Sequence, residues 1–364
     1  MKIYFYGCNY DPISVPHECA VLAEGLAALG HQCFGEIDKL RETADGSPVI
    51  HASDSMAEAD VIIMDSIINI AADSEQELQK ISSIAHTTPI VFIDESDGLR
   101  TPGFGKNARS CALVLKSHFN RKMKYPRNFV PWQFGISNRM VEAINPIPVK
   151  ERNETISVNF RVKHQLRDHM NSLTLPILKK YLEIDTKTDS NKPEEFSAND
   201  QFLFHQARGR HNPFYYQRLP HSLFVAAYGG VFCLPFGNHD KYTAKISRIA
   251  NQILPLFKYD RVRQWDSWRF WESMLAGCIT IHVDLEKFGC EMPVMPVNYQ
   301  DYVGIDPYHP EIFRDWFQTA MEEWKQGKPK ILESMSASAR EFVLKNYSSP
   351  VVADRFLKLL ESIR

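Results

Sequence analysis

The sequence predicts an α/β protein with two domains, each a parallel sheet covered by helices, facing one another across a cleft. Three observations carry this. Short apolar runs alternate with helix-period stretches through the first third of the chain, and the alternation restarts after a charged, proline-containing break at Pro146, Pro148 and Lys150–Glu154. Buried parallel strands read as such continuous apolar runs because both of their faces are covered. The third observation is length: the chain has 364 residues, and single cores stop growing at roughly 250–300.

The elements follow in order. Lys2–Tyr6 reads as a buried strand, and Glu18–Leu29 as a helix with Leu22, Leu26 and Leu29 on one face and Gly30 as its stop. His31–Ile37 is extended, Val61–Met64 a short strand, Ser74–Ala85 a polar-faced helix, and Pro89–Ile93 and Ala112–Leu115 two more strands. Beyond the break come strand Ile156–Phe160, a helix from Gln165 to Tyr181, strand Ser222–Ala227, helix Trp265–Ala276 and strand Cys278–Asp284. Asp185–Asp200 is polar and almost free of large apolar groups, so it reads as a flexible loop. The tail is helical. Ile312, Phe313, Trp316, Phe317, Ala320 and Trp324 form one amphipathic stripe, and Val352, Phe356, Leu359, Leu360 and Ile363 another, opened by Ser349 and Pro350.

Composition narrows the function. Hydrophobic residues make up 44% and charged residues 24%, the values of an ordinary globular protein. With 42 Lys+Arg against 44 Asp+Glu there is no global attraction to nucleic acid, and no nucleic-acid partner is expected. Seven scattered cysteines without a C-x-x-C argue against a zinc site and against a disulfide framework, which points to a reducing cytoplasm. The longest uncharged apolar stretch, Leu223–Phe236, is broken by Gly229, Gly230 and Pro235 and is too short for a membrane span. His205, His211, His221 and His239 follow no metal-ligand spacing, and no metal is expected.

The most informative segment is Gln264–Asp284, in which Asp266, Arg269 and Glu272 stand at i, i+3 and i+6 ahead of the small turn Ala276–Gly277–Cys278 and an apolar strand. This resembles the C-terminal domain of GT-B glycosyltransferases, and with Ser267 it looks like the exostosin-type and family-1-like donor-binding pattern of that superfamily. The resemblance implies two Rossmann-like domains, 1–148 on the acceptor side and 149–348 on the nucleotide-sugar side, with a closing helix 349–364 crossing back to the first. It also implies that Glu272 holds the donor's ribose, since one carboxylate can accept both hydroxyls of the diol. Where many retaining members carry a further glutamate, this chain has Gln264.

The N-terminal unit is similar to the opening of inverting GT-B enzymes, which implies His17 as the base toward the acceptor hydroxyl. A carboxylate partner would raise its basicity. Asp94, Glu95 and Asp97, just past strand Pro89–Ile93, are the candidates for that role. Cations for the donor diphosphate are expected at Arg161 or Lys163, with Arg167 near them, and in the loop Arg208–Gly209–Arg210–His211. Gly229–Gly230 is a further point where backbone could approach an anion.

The resulting expectation is a metal-independent transferase that needs no cofactor, using a nucleotide sugar as donor and a glycan, lipid-linked compound or other hydroxyl as acceptor. The run Lys106–Arg127 carries Lys106, Arg109, Lys116, Arg121, Lys122, Lys124 and Arg127 without an acidic residue, which suits peripheral contact with an anionic membrane surface. A non-catalytic nucleotide- or glycan-binding module and a sugar-nucleotide epimerase are the alternatives on the same fold.

Overall fold

The computed structural model describes residues 1–7, 13–65, 83, 88–95, 111–160, 165–188, 192–233 and 259–363. Helix Ser74–Ala85, apart from Ser83, falls outside this set, as do the candidates Arg161, Lys163 and Asp97 and the basic residues Lys106 and Arg109.

The first sheet is built from β1 (Lys2–Tyr6), β2 (Gln32–Gly35), β3 (Ile50–Ala52), β4 (Val61–Asp65), β5 (Ile90–Asp94), β6 (Leu113–Lys116) and β7 (Phe129–Pro131). Its order is β3-β2-β1-β4-β5-β6-β7, with every pairing parallel. The order reverses between β1 and β4, and the carboxyl ends of strands at such a switch point form a ligand-binding crevice. Helix α1 (His17–Ala28) enters from that edge directly behind Pro16, whose fixed φ suits a helix start.

After the short α2 (Asn138–Ala143), the proline-rich break is anchored rather than slack. Arg152 is buried and its Nη2 donates to Ile147 O (3.0 Å) and Ala276 O (2.8 Å), so the strand begins at once. The second sheet holds β8 (Asn153–Ser157), β9 (Glu183–Asp185), β10 (Ser222–Ala226), β13 (Ile279–Val283) and β14 (Val303–Ile305), with β11 (Val231–Cys233) and β12 (Arg261–Arg263) forming a separate antiparallel pair. The order β14-β13-β10-β8-β9 is parallel throughout and reverses between β8 and β10. Its helices include α3 (Gln165–Leu178), α4 (Ala198–Gln206), α5 (Pro213–Arg218) and α6 (Trp268–Leu275).

The polar stretch read as a loop from 185 to 200 instead gives β9, a 3-10 turn at Pro193–Glu195 and the start of α4. Ser197 supplies the cap, its Oγ accepting from Asp200 N (3.1 Å).

The tail forms α7 (Pro310–Lys325), α8 (Lys330–Tyr347) and α9 (Ser349–Ile363). Helix α9 lies against α1, at a contact that only glycine permits: a Cβ on Gly25 would stand 1.9 Å from Ser349 O and 2.8 Å from Ala353 Cβ. No helix among the described residues is long and apolar enough to cross a membrane.

The two sheets are also joined by the segment after β6. Asn120 Nδ2 donates to Val262 O (3.2 Å) and Phe288 O (2.9 Å), Arg121 N to Gly289 O (2.8 Å), and Trp265 Nε1 to Phe119 O (3.0 Å). This changes the reading of the basic run. Lys116 is buried, Arg121 and Lys122 donate to carbonyls of residues 286, 260 and 287 in the other half, and only Lys124 and Arg127 of its described basic residues stand exposed without such a tie. The described part is a joint rather than one basic face.

Candidate functional site

Two adjoining cavities occupy the crevice between the sheets. The larger, about 390 Å³, is lined from the second half by Glu272, Arg269, Ser267, Asn159, Arg167 and Tyr215, among others, and from the first half by His118 and Phe134. The smaller, about 220 Å³, is lined by His17, Glu95, Glu24, Arg139 and neighbouring residues. Phe134, Arg208, Arg210 and Trp268 border both, so a molecule in one faces a molecule in the other across the indole of Trp268.

Helix α6 presents Glu272 and Arg269 to the larger cavity. Glu272 is 5% exposed, and its Oε1 accepts from the Tyr216 hydroxyl (3.3 Å). Burial raises its pKa, while the cations Arg269 and Arg139 oppose the rise. Arg269 and Arg167 both stack on Phe160, with guanidinium carbons 5.5 Å and 4.5 Å from the ring centroid. Burial and the adjacent Arg269 lower the Arg167 pKa to about 10. Two neighbouring cations in one cavity suit an anion that neutralises both.

Asp266 does not share their helical face, because the helix starts only at Trp268. It still lines the larger cavity, and its buried carboxylate accepts from Phe134 N (3.0 Å) and Trp271 Nε1 (2.6 Å), which ties the halves together. Desolvation raises its pKa to about 7 against those hydrogen bonds. Ser267 likewise donates its hydroxyl to Ala227 O (3.3 Å). Gly229 and Gly230 make way for protein backbone: a Cβ on Gly230 would lie 2.0 Å from Arg263 O, and one on Gly229 2.8 Å from Trp265 O. Gln264, at φ 53°, lines the same cavity in a left-handed conformation unusual for its type.

His118 is a site residue that sequence reasoning missed. Its Nδ1 accepts the Asp266 backbone N–H (3.0 Å), which places its hydrogen on Nε2. That Nε2 is buried without a hydrogen-bond partner in the protein, in a ring only 4% exposed on the wall of the larger cavity. Burial lowers its pKa to about 3, so the group is a neutral donor. The hydroxyl of Tyr215, on the same wall, is also buried without a partner. The one sequence signal for His118 is its place two residues beyond the apolar strand β6, at the carboxyl edge of the sheet.

At the smaller cavity the described carboxylates Asp94 and Glu95 do not partner His17. Asp94 forms a buried ion pair with Lys116 (2.6 Å) and is removed from the cavity. Glu95 stays on the cavity wall, its Oε1 accepting from Glu18 N (2.7 Å) at the head of α1. The His17 Nε2 instead donates to Gly135 O (3.1 Å), which leaves Nδ1 as the basic atom. Its ring packs 3.9 Å from Trp268. Desolvation, then Arg139, lowers its pKa to about 3, and Arg210 adds to the effect.

Arg208 and Arg210 do reach the site. Arg208, at φ 52°, lines both cavities and its Nε donates to Ser14 Oγ (3.3 Å); Arg210 lies 4.9 Å over the Trp268 ring.

No family model matches the chain, and no curated protein matches it in sequence. In fold it is similar along its whole length to two solved structures. One is an alpha-glucosyltransferase in complex with UDP-glucose and DNA containing an abasic site: 11% identity, TM-score 0.55, covering 100% of this chain and 99% of that one. Another is AviGT4, a glycosyltransferase involved in avilamycin A biosynthesis: 10% identity, TM-score 0.51, covering 99% and 97%. The fold is that of GT-B glycosyltransferases.

Proposed function

We propose that the protein transfers a sugar from a nucleotide-sugar donor to a hydroxyl acceptor. The observation that supports this most is the pairing of the two cavities. A buried carboxylate, Glu272, and two cations, Arg269 and Arg167, line the larger one, and Trp268 is among the four side chains, with Phe134, Arg208 and Arg210, that it shares with the smaller one. The carboxylate matches a ribose diol, the cations a diphosphate, and the neutral His118 Nε2–H a hydroxyl of the transferred sugar. The leaving diphosphate then needs no metal, because fixed cations take its charge.

The acceptor hydroxyl meets His17 in the smaller cavity. Burial first, then the charges of Arg139 and Arg210, hold that imidazole unprotonated. A bound diphosphate beside Arg210, which borders both cavities, offsets part of that positive field and raises the affinity of Nδ1 for the proton as the acceptor oxygen attacks the anomeric carbon. Trp268 keeps bulk water from the point of transfer.

The test is calorimetry with UDP-glucose, followed by product analysis in chelator with a panel of hydroxyl acceptors. Glu272→Ala is expected to weaken donor binding by about 1.5–3 kcal/mol, the range for hydrogen bonds to a charged group. Unchanged donor affinity in that variant would refute the ribose assignment. Binding without turnover of any acceptor would instead favour a non-catalytic module.

A further inference from the structure

The smaller cavity is closed on one side by an element of the other half. Helix α4 reaches across to the first domain, where Gln206 acts as a two-ended clamp. Its Oε1 accepts from Arg41 N (2.8 Å), its Nε2 donates to Arg41 O (2.9 Å), and its backbone O accepts from Val15 N (2.9 Å). Asn199 Oδ1 accepts from Ala44 N (3.1 Å) on the same side. The cavity, about 220 Å³ and open on one side, is below the usual size of a ligand pocket. A single sugar-sized unit suits it.

Charge then limits what enters. Arg139 lines this cavity and not the larger one. Its Nη1 donates to the Tyr216 hydroxyl (2.9 Å) and meets Arg210 O (3.4 Å) and His211 Nδ1 (3.5 Å), and among the described residues no carboxylate lies within ion-pair distance of its guanidinium. The acidic residues on the same walls are disposed differently. Glu24 accepts Asn138 N (2.7 Å) and the Ser349 hydroxyl (2.8 Å), and burial raises its pKa to about 7. Glu42 and Glu142 line the cavity as exposed residues, and Glu95 accepts from Glu18 N (2.7 Å). The pKa of His17 is lowered mainly by burial, and Arg139 and Arg210 add to the effect. Arg139 and Arg210 therefore bring positive charge near His17, where the acceptor hydroxyl would react.

We propose that the acceptor is a small, monosaccharide-sized hydroxyl compound bearing a carboxylate or phosphate, held through that anion by Arg139 beneath the α4 clamp. This rests on the transferase reading above and names the substrate class of its second cavity. A planar guanidinium matches either anion in a forked geometry, so the two sources share one chemistry.

The experiment is calorimetry on the full chain saturated with UDP, titrated separately with glucuronate, glucose 6-phosphate, glucose and inorganic phosphate. At least one charged sugar should bind about tenfold or more tighter than glucose, weakening as salt rises. Arg139→Gln should abolish that preference, and Arg139→Lys should restore part of it. The glucuronate and glucose 6-phosphate arms decide between carboxylate and phosphate. Equal affinity for glucose and both charged sugars, or a preference that survives in Arg139→Gln, would overturn the proposal. Inorganic phosphate that binds only when UDP is omitted would assign the cation to the donor and overturn it too, as would a DNA duplex that binds more tightly than either charged sugar. UDP binding, read in the same cell, separates the two claims: its absence refutes the donor site, whereas its presence without anion preference refutes only the acceptor class.

Discussion

Asp266 supports a prediction that runs opposite to the usual behaviour of a buried, hydrogen-bonded carboxylate. Burial raises its pKa from 3.8 to about 7, in spite of the donors Trp271 Nε1–H and Phe134 N–H. A carboxyl with a raised folded-state pKa contributes stability that is complete below 3.8 and is lost as pH climbs through about 7. At about 1.4 kcal/mol per pH unit, the loss between pH 5 and 7 is on the order of 3 kcal/mol. The buried histidines His17, His118 and His282 act in the other direction. Their pKa values fall from 6.5 to about 3, 3 and 4, so they add stability as pH rises to 6.5 and nothing beyond. Wild-type stability alone therefore mixes the two effects, and the difference from Asp266→Asn isolates one. Urea unfolding of both proteins from pH 5 to 8 should show the wild type's advantage over Asp266→Asn shrinking by about 3 kcal/mol across the range. A difference that stays constant, or grows toward pH 8, would refute the assignment of a raised pKa to Asp266.

Three further outcomes follow from the same contacts. Gly25→Ala puts a methyl into Ser349 O, so α9 must move off α1; a cost of about 1–3 kcal/mol is expected, and an unchanged melting temperature would show that the contact yields freely. Gln206→Ala removes both side-chain hydrogen bonds to Arg41 and should cost about 1–3 kcal/mol, with acceptor KM raised and UDP affinity intact; a KM equal to wild type would mean that the clamp does not bound the acceptor cavity. His118→Phe keeps a ring but removes the Nε2–H donor, so kcat should fall at least about tenfold while UDP affinity stays the same, and wild-type kcat would take His118 out of the site.

The strands and the turn into β13 were legible because they depend on local signals. Continuous apolar runs mark β1, β4, β5 and β6, and Gly277 with its small neighbours marks the end of α6. The closing helix was legible from its stripe. What was not legible depends on tertiary docking. Helix α4 hides in a polar stretch because its contacts to the first half are hydrogen bonds from Gln206 and Asn199 rather than an apolar face. At the site, Glu272, Arg269 and Asp266 do line one cavity, but Asp266 lies ahead of the helix and not on its face, since helical phase says nothing about where a helix begins. Asp94 stands at the right strand end, yet the facing Lys116 from β6 takes its charge, and strand pairing is invisible in one dimension. His118 and Arg139 carry no motif. Only the fold brings them to the cavity walls.

A crystal structure of the full chain soaked with UDP-glucose would show whether the larger cavity is a nucleotide-sugar site. Ribose hydroxyls are expected within about 3.2 Å of the Glu272 carboxylate, the diphosphate beside Arg269 and Arg167, and a sugar hydroxyl accepting from His118 Nε2 next to Trp268. A nucleotide bound elsewhere, or one in the cavity with its ribose turned away from Glu272, would contradict it.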